Sequence, residues 1–145
     1  MTHTNNADYA ALLLRTALGI MFIAHALLKI MAFTPEGTAA FFASLGVPGW
    51  FAYPVMFAEL AGGMMLVAGI QTRIVSLALI PVLIGSIVLV HGGNGWLSTN
   101  ENGGWEYPAF LIMASLALAL LGDGAYSAAQ LFNRRQRTPR QAATV

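Results

Sequence analysis

The sequence contains no cysteine, and only 9% of its 145 residues are charged. Without a thiol, the chain cannot form a disulfide, carry out thiol catalysis, hold an iron–sulfur cluster through cysteine or attach haem covalently. Soluble domains are about one quarter charged. The shortage of charge, together with a 57% hydrophobic composition, therefore indicates a membrane protein. The net charge of +1 gives nucleic-acid binding no electrostatic support.

The N-terminal segment "MTHTNNADYA" has no lysine or arginine. A secretory signal peptide begins with basic residues and carries a small-residue cleavage site after a short apolar core. This segment has neither feature, so we expect the first apolar run to be a retained membrane helix.

Four apolar runs predict an all-α membrane protein built as a bundle of four transmembrane helices in a single domain. The runs span residues 10–33, 50–70, 73–91 and 107–121. A helix needs about 20 residues to cross a hydrocarbon core of about 30 Å. The first two runs meet this length, and Pro81 predicts a bend in the third. The fourth is short unless it continues past "GDG" into "AYSAAQLF".

A shorter helix is predicted between the first two runs. Thr34 followed by Pro35 is a helix-start signal. Phe41 and Phe42 follow, and Gly46 marks the end. We expect a short amphipathic helix that lies at the membrane interface.

Basic residues predict the orientation in a bacterial inner (plasma) membrane. The tail, residues 134–145, contains four arginines, and Arg73 occupies the turn between runs two and three. Because cytoplasmic segments are enriched in lysine and arginine, we expect both termini to be cytoplasmic. The connections after runs one and three then face outward.

The first run carries three polar residues on one side of its helix. At about 100° per residue, Lys29 falls about 40° and His25 about 80° from Arg15. Such a stripe favours contact with protein over contact with lipid. Two simpler interpretations stay open: Arg15 and Lys29 could extend toward the headgroups, and His25 could be a hydrogen-bonded structural residue.

Glu59 lies near the middle of the second run, in "FAELAGG". A charged, unpaired carboxylate at this depth costs several kcal/mol, so we expect Glu59 to be buried in protein and paired. Gly62 and Gly63 share its helical face and would allow another helix to approach closely. A structural ion pair is the alternative to a functional role.

Two more polar residues are expected in the outer half of the membrane or at its outer edge. His91 ends run three, and Glu106 begins run four, both on the predicted outer side. Structural roles are open for each: hydrogen bonding to the glycine-rich loop for His91, and a helix N-terminus for Glu106. If these residues are functional, the sequence predicts one polar pocket in the outer half of the bundle, formed by His25, Lys29, Glu59, His91 and Glu106. Arg15 and Arg73 are expected on the cytoplasmic side. No motif for a metal site is present.

The pattern resembles the DoxX family of bacterial membrane proteins. The resemblance extends from "LLLRTALGIMFIAHALLK" to "LLGDGAYS". It rests on several elements in a fixed order: Arg15, the His25 and Lys29 pair, "ELAGG" with Glu59, "GIQTR" with Arg73, His91 before "GGNG", and "GGWEY" with Glu106. The resemblance implies a membrane component of an oxidoreductase system, with a quinone as a candidate ligand and oxidoreductase subunits as candidate partners.

Three functions are compatible with these residues. The first is binding of a quinone-like or other small, polar-headed molecule that enters from the lipid bilayer, with Glu59 exchanging protons. The second is a small proton-coupled transporter, and the third is a structural or scaffold subunit, with a homo-oligomer as an open assembly. A lateral opening to lipid would favour the first, access from both aqueous sides the second, and a dry, fully paired cluster the third. The chain has no evident nucleophile or flavin motif, so we expect it to be a non-catalytic subunit.

Overall fold

The computed structural model describes residues 5–128 and residue 130. Within this part of the chain all regular structure is helical, with five α-helices and four short π- or 3₁₀-helical turns. The helices are α1 (Asn6–Leu27), α2 (Pro35–Ser44), α3 (Ala52–Ala68), α4 (Thr72–Ser86) and α5 (Glu106–Leu121).

Local sequence explains how the helices begin and end. The Asn5 side chain accepts from the backbone N–H of Asp8, while the Asp8 carboxylate accepts from the N–H of Asn5, which is a capping box at the start of α1. Thr34 caps α2 by accepting from the N–H of Gly37, as its position before Pro35 predicts. Gly69 ends α3 in a left-handed conformation that suits glycine.

Three helical segments are long and apolar enough to cross a membrane: Asn6–Ala32, Gly49–Ala68 and Thr72–Asn94. They match the first three predicted runs. Helix α5 is also apolar but has only 16 residues, or about 24 Å. It ends at Leu121 and does not continue through "GDG".

Pro81 does not end α4, which continues through it to Ser86. A π-helical turn, Ile87–His91, follows α4 directly. The cytoplasmic tail predicted at residues 134–145 lies outside the described residues.

The four apolar helices pack in alternating directions. Lys29, just after α1, meets Glu59 near the middle of α3, and Arg15, in the N-terminal half of α1, meets the carbonyls at the end of α3. The N–H of Thr72, which begins α4, donates to Asp123 just after α5. Among these four, the main contacts run in the cyclic order α1, α3, α4, α5 and back to α1, so the helices form a closed bundle.

Helices α1 and α3 approach most closely where two glycines meet. A Cβ atom at Gly19 would lie 2.7 Å from the carbonyl oxygen of Gly63, and one at Gly63 would lie 2.8 Å from that of Gly19. Real Cβ atoms do not come this close to backbone, so both positions require glycine for the observed separation. The close approach brings the polar side chains of α1 within reach of α3.

The apolar centre of the bundle lies between its two polar ends. Its buried residues come from all four apolar helices: Leu18, Phe22, Leu66, Val75, Leu79, Leu83, Leu111, Ala114 and Leu118. Helix α2 lies outside this core and packs on α3 and on the turn that follows α1.

Candidate functional site

The site is organised around an ion pair between α1 and α3. The Lys29 Nζ atom donates to both carboxylate oxygens of Glu59, each at 2.7 Å. The Glu59 side chain is only 5% exposed and the Lys29 side chain 21%. Because a buried carboxylate is costly without a partner, the ammonium group of Lys29 accounts for the presence of Glu59 in an apolar helix.

Two histidines are held by backbone carbonyls near this pair. The Nδ1 atom of His25 is 2.9 Å from the carbonyl oxygen of Met21, one turn earlier in α1. The Nδ1 atom of His91 is 3.0 Å from the carbonyl oxygen of Gly103, in the loop before α5. The sequence predicts that His25, Lys29 and Glu59 belong to one polar pocket. Among the described contacts, His25 bonds to its own helix, and it lines the same cavity as the ion pair.

Lys29 and His91 both lie in π-helical turns. These turns, Leu28–Ala32 and Ile87–His91, follow α1 and α4 directly. A π turn accommodates one extra residue and so rotates the side chains that follow it. In this protein the two turns lie at the same end of the bundle, where both residues reach the cavity.

The cavity has a volume of about 660 Å³ and lies between α2 and the adjacent ends of the other four helices. Its wall is mainly apolar, with Phe33, Phe41 and Phe42 on the α2 side. The polar groups that line it include His25, Lys29, Glu59, His91, Ser86 and Tyr107. A volume of this size is within the range of small-molecule sites.

Part of the cavity wall reaches the outer surface of the bundle. Phe33, Phe41, Leu89 and Tyr107 line the cavity and are also more than 40% exposed. In a membrane-embedded helix bundle such apolar surface faces lipid. The apolar wall of the cavity is therefore continuous with the outer surface of the bundle.

Glu106 lies outside this cavity. It accepts a hydrogen bond of 2.7 Å from the backbone N–H of Ser98 and lines a separate surface depression with Trp96. The sequence placed it with the other four because all five are expected in the outer half of the membrane or at its outer edge, but depth does not specify the direction in which a side chain points. Its carboxylate holds the loop between α4 and α5 from the first turn of α5. This is a structural role at a helix N-terminus.

The opposite end of the bundle is organised by Arg15, which is 1% exposed. Its guanidinium group donates to the carbonyl oxygens of Leu66, Val67 and Ala125. Extension toward headgroups is therefore not its role: it joins α1 to the end of α3 and to the segment after α5. Arg73 lies at the same end but is exposed.

Three residues that make contacts at the two ends of the bundle were not singled out from the sequence. The ring of Tyr107 stacks on that of His25, with centroids 6.3 Å apart. The Thr38 hydroxyl donates to the carbonyl of Lys29 and so ties α2 to the π turn. Asp123 receives the N–H of Thr72. Only Asp123 carries a sequence signal, the turn motif "GDG", because the other two act through contacts between distant segments.

The apolar helices indicate a multi-pass membrane protein, and the cavity at one end of the bundle is mainly apolar. Residues 10–92 match the model of the DoxX family. A protein of Bacillus subtilis (strain 168) named "Putative oxidoreductase CatD" is 37% identical over 116 residues, which are 80% of this chain and 81% of that protein. No solved structure matches the chain.

The chain belongs to the DoxX family, as the family match and the similarity to the Bacillus protein together show. The matched residues include the ion pair, both histidines of the cavity and the two glycines where α1 meets α3. They end before α5, which contributes Tyr107 to the cavity.

Proposed function

We propose that the protein binds a quinone-like molecule, with a small polar head and an apolar remainder, in the outer-half cavity, and serves as the membrane component of an oxidoreductase system. The observation that carries this proposal is the cavity itself. It combines a mainly apolar wall with an ion pair and two histidines. A molecule with one polar end and one apolar end matches this distribution.

The route of entry supports a ligand that is dissolved in the membrane. Exposed apolar residues of α2 and the end of α4, such as Phe41 and Leu89, border the cavity. Thus a lipid-soluble molecule could enter sideways without crossing an aqueous phase. Helix α2, which packs on α3 rather than inside the core, forms the outer cover.

The floor of the cavity favours binding over transport. Phe22, Leu83 and Leu111 line the cavity and also belong to the buried apolar core. Buried apolar side chains of this core lie between the ion pair and the Arg15 end of the bundle. A proton-coupled transporter would need a polar route through the same layer.

The redox chemistry is assigned to partner subunits. The chain has no cysteine, and no group of three or more metal-ligating side chains forms within residues 5–128. The related Bacillus protein carries an oxidoreductase name. In this proposal the chain holds the small molecule and exchanges protons with it through Glu59 and the histidines.

The test is identification of the bound molecule. The protein is purified from membranes in mild detergent, extracted with organic solvent and analysed by mass spectrometry. We expect a quinone or quinol at a near-stoichiometric level in the wild type. Because Phe42 lines the cavity, Phe42→Trp should fill part of it and reduce the recovered molecule at least about fivefold, as overpacking excludes a ligand.

The matched control is Phe57→Trp. Phe57 is 74% exposed and does not line the cavity, so this variant should retain the molecule. Equal recovery of the molecule from both variants would mean that it binds elsewhere, and a wild-type protein with neither quinone nor quinol would contradict the proposal.

A further inference from the structure

The hydrogen bonds of the two cavity histidines determine which ring nitrogen carries the proton. A backbone carbonyl can only accept a hydrogen bond. Because Met21 and Gly103 contact the Nδ1 atoms of His25 and His91 through their carbonyl oxygens, both Nδ1 atoms must carry hydrogen. In a neutral imidazole the other nitrogen, Nε2, then has a lone pair and acts as an acceptor.

Like the two Nε2 atoms, the ion pair offers a ligand more hydrogen-bond acceptors than donors. Two of the three N–H bonds of Lys29 point at Glu59, which leaves at most one for a ligand. The Glu59 carboxylate has only acceptor atoms. The hydroxyl groups of Tyr107 and Ser86 can donate or accept, and so they do not favour one kind of ligand over another.

We propose that the cavity selects the reduced, dihydroxy form of its ligand, with the Nε2 atoms of His25 and His91 accepting hydrogen bonds from ligand hydroxyl groups. This rests on the proposed function and deepens it. A quinone presents two carbonyl oxygens, which can only accept. A hydroquinone presents two O–H donors on the same ring and therefore complements the two histidines.

The preference can be measured with three aromatic probes that share one carbon skeleton. They are 2-methyl-1,4-naphthalenediol, the corresponding quinone menadione, and 1,4-dimethoxy-2-methylnaphthalene, which has the oxygens of the diol but no donor. Binding to the full chain in detergent is measured calorimetrically without oxygen, at a mildly alkaline pH where free imidazole is neutral. We expect the diol to bind at least about tenfold more tightly than either other probe, as expected when buried acceptors are left unsatisfied.

Variants test whether the histidines cause this preference. Asparagine can place an N–H donor near the Nδ1 position but removes the Nε2 acceptor. We expect His25→Asn and His91→Asn each to weaken binding of the diol about fivefold or more, with little change for menadione. Glu106→Gln, a polar change at the same end but outside the cavity, should leave the ratio between diol and quinone unchanged.

The outcomes separate this inference from the proposed function. Binding of menadione as tightly as the diol would overturn the selectivity but leave the site in place. An equal loss of both probes in the histidine variants would mean that the rings act only through the fold, and would also overturn it. If none of the three probes binds, the proposed site and its selectivity both fail.

Discussion

At the scale of single residues, the ion pair of Lys29 and Glu59 shows how a charge is accommodated in an apolar helix. Glu59 is nearly inaccessible, and both of its oxygens receive the same ammonium group. The pair needs both partners because removing one leaves the other charge without compensation. Its contribution is therefore best measured by changing the two residues separately and together.

We predict that Glu59→Gln lowers the free energy of unfolding by about 3 kcal/mol, since it leaves Lys29 with an uncompensated charge in a mainly apolar cavity. Thermal unfolding of the purified protein in detergent measures this change. Glu106→Gln is the matched control, and we expect it to have a smaller effect because its carboxylate bonds to a loop at the surface.

The double variant Lys29→Met with Glu59→Leu removes both charges. It should be less destabilised than the sum of the single variants, because the two residues are in direct contact. Simple additivity, or an unchanged Glu59→Gln protein, would mean that the pair contributes little to the stability of the fold.

At the scale of helices, the contact between α1 and α3 depends on Gly19 and Gly63. Each glycine lies against the backbone of the other helix, with no room for a Cβ atom. This close packing also sets the separation at which Lys29 reaches Glu59. A wider separation would affect both the core and the ion pair.

We predict that Gly19→Ala lowers the free energy of unfolding by about 1–3 kcal/mol, because the added methyl group forces the two helices apart. The control is Gly85→Ala in α4, where an added Cβ would meet nothing within 4 Å. There the better helix propensity of alanine should leave stability unchanged or raise it by up to about 1 kcal/mol. Equal effects of the two changes in thermal unfolding would exclude close packing as the cause.

At the scale of the whole molecule, the arrangement of the helices places the cavity at one end of the bundle and Arg15 at the other. Which end faces the cytoplasm depends on the basic residues. Arg73 lies at the end opposite the cavity, and the arginines of the tail follow α5 in the sequence. The charge rule therefore predicts that the cavity lies in the outer half of the membrane.

Cysteine labelling tests this orientation, because the chain has no native cysteine. Thr99→Cys lies in the exposed loop between α4 and α5, and Ala142→Cys lies in the basic tail. We expect a membrane-impermeant thiol reagent to label position 99, and not position 142, in cells whose outer barrier is opened. The reverse pattern would place the cavity at the cytoplasmic side, and labelling of both would mean that α5 does not cross.

The sequence by itself determined the helical class, the approximate span of each apolar run and the polar residues that need partners. These follow from local physics: a backbone in lipid must bond internally, and a carboxylate such as Glu59 cannot remain charged and unpaired there. The short helix after Thr34 was predictable for a similar reason, since capping acts over a few neighbouring residues.

Only the tertiary structure decided which of these residues meet. The sequence could not separate Glu106 from the cavity residues, because all five are expected in the outer half of the membrane or at its edge and periodicity does not specify how a loop turns. Nor could it show that π turns orient Lys29 and His91, or that Tyr107 stacks on His25. These features depend on packing between segments that are distant along the chain. Side-chain shape and backbone geometry determine such packing, and composition does not specify it.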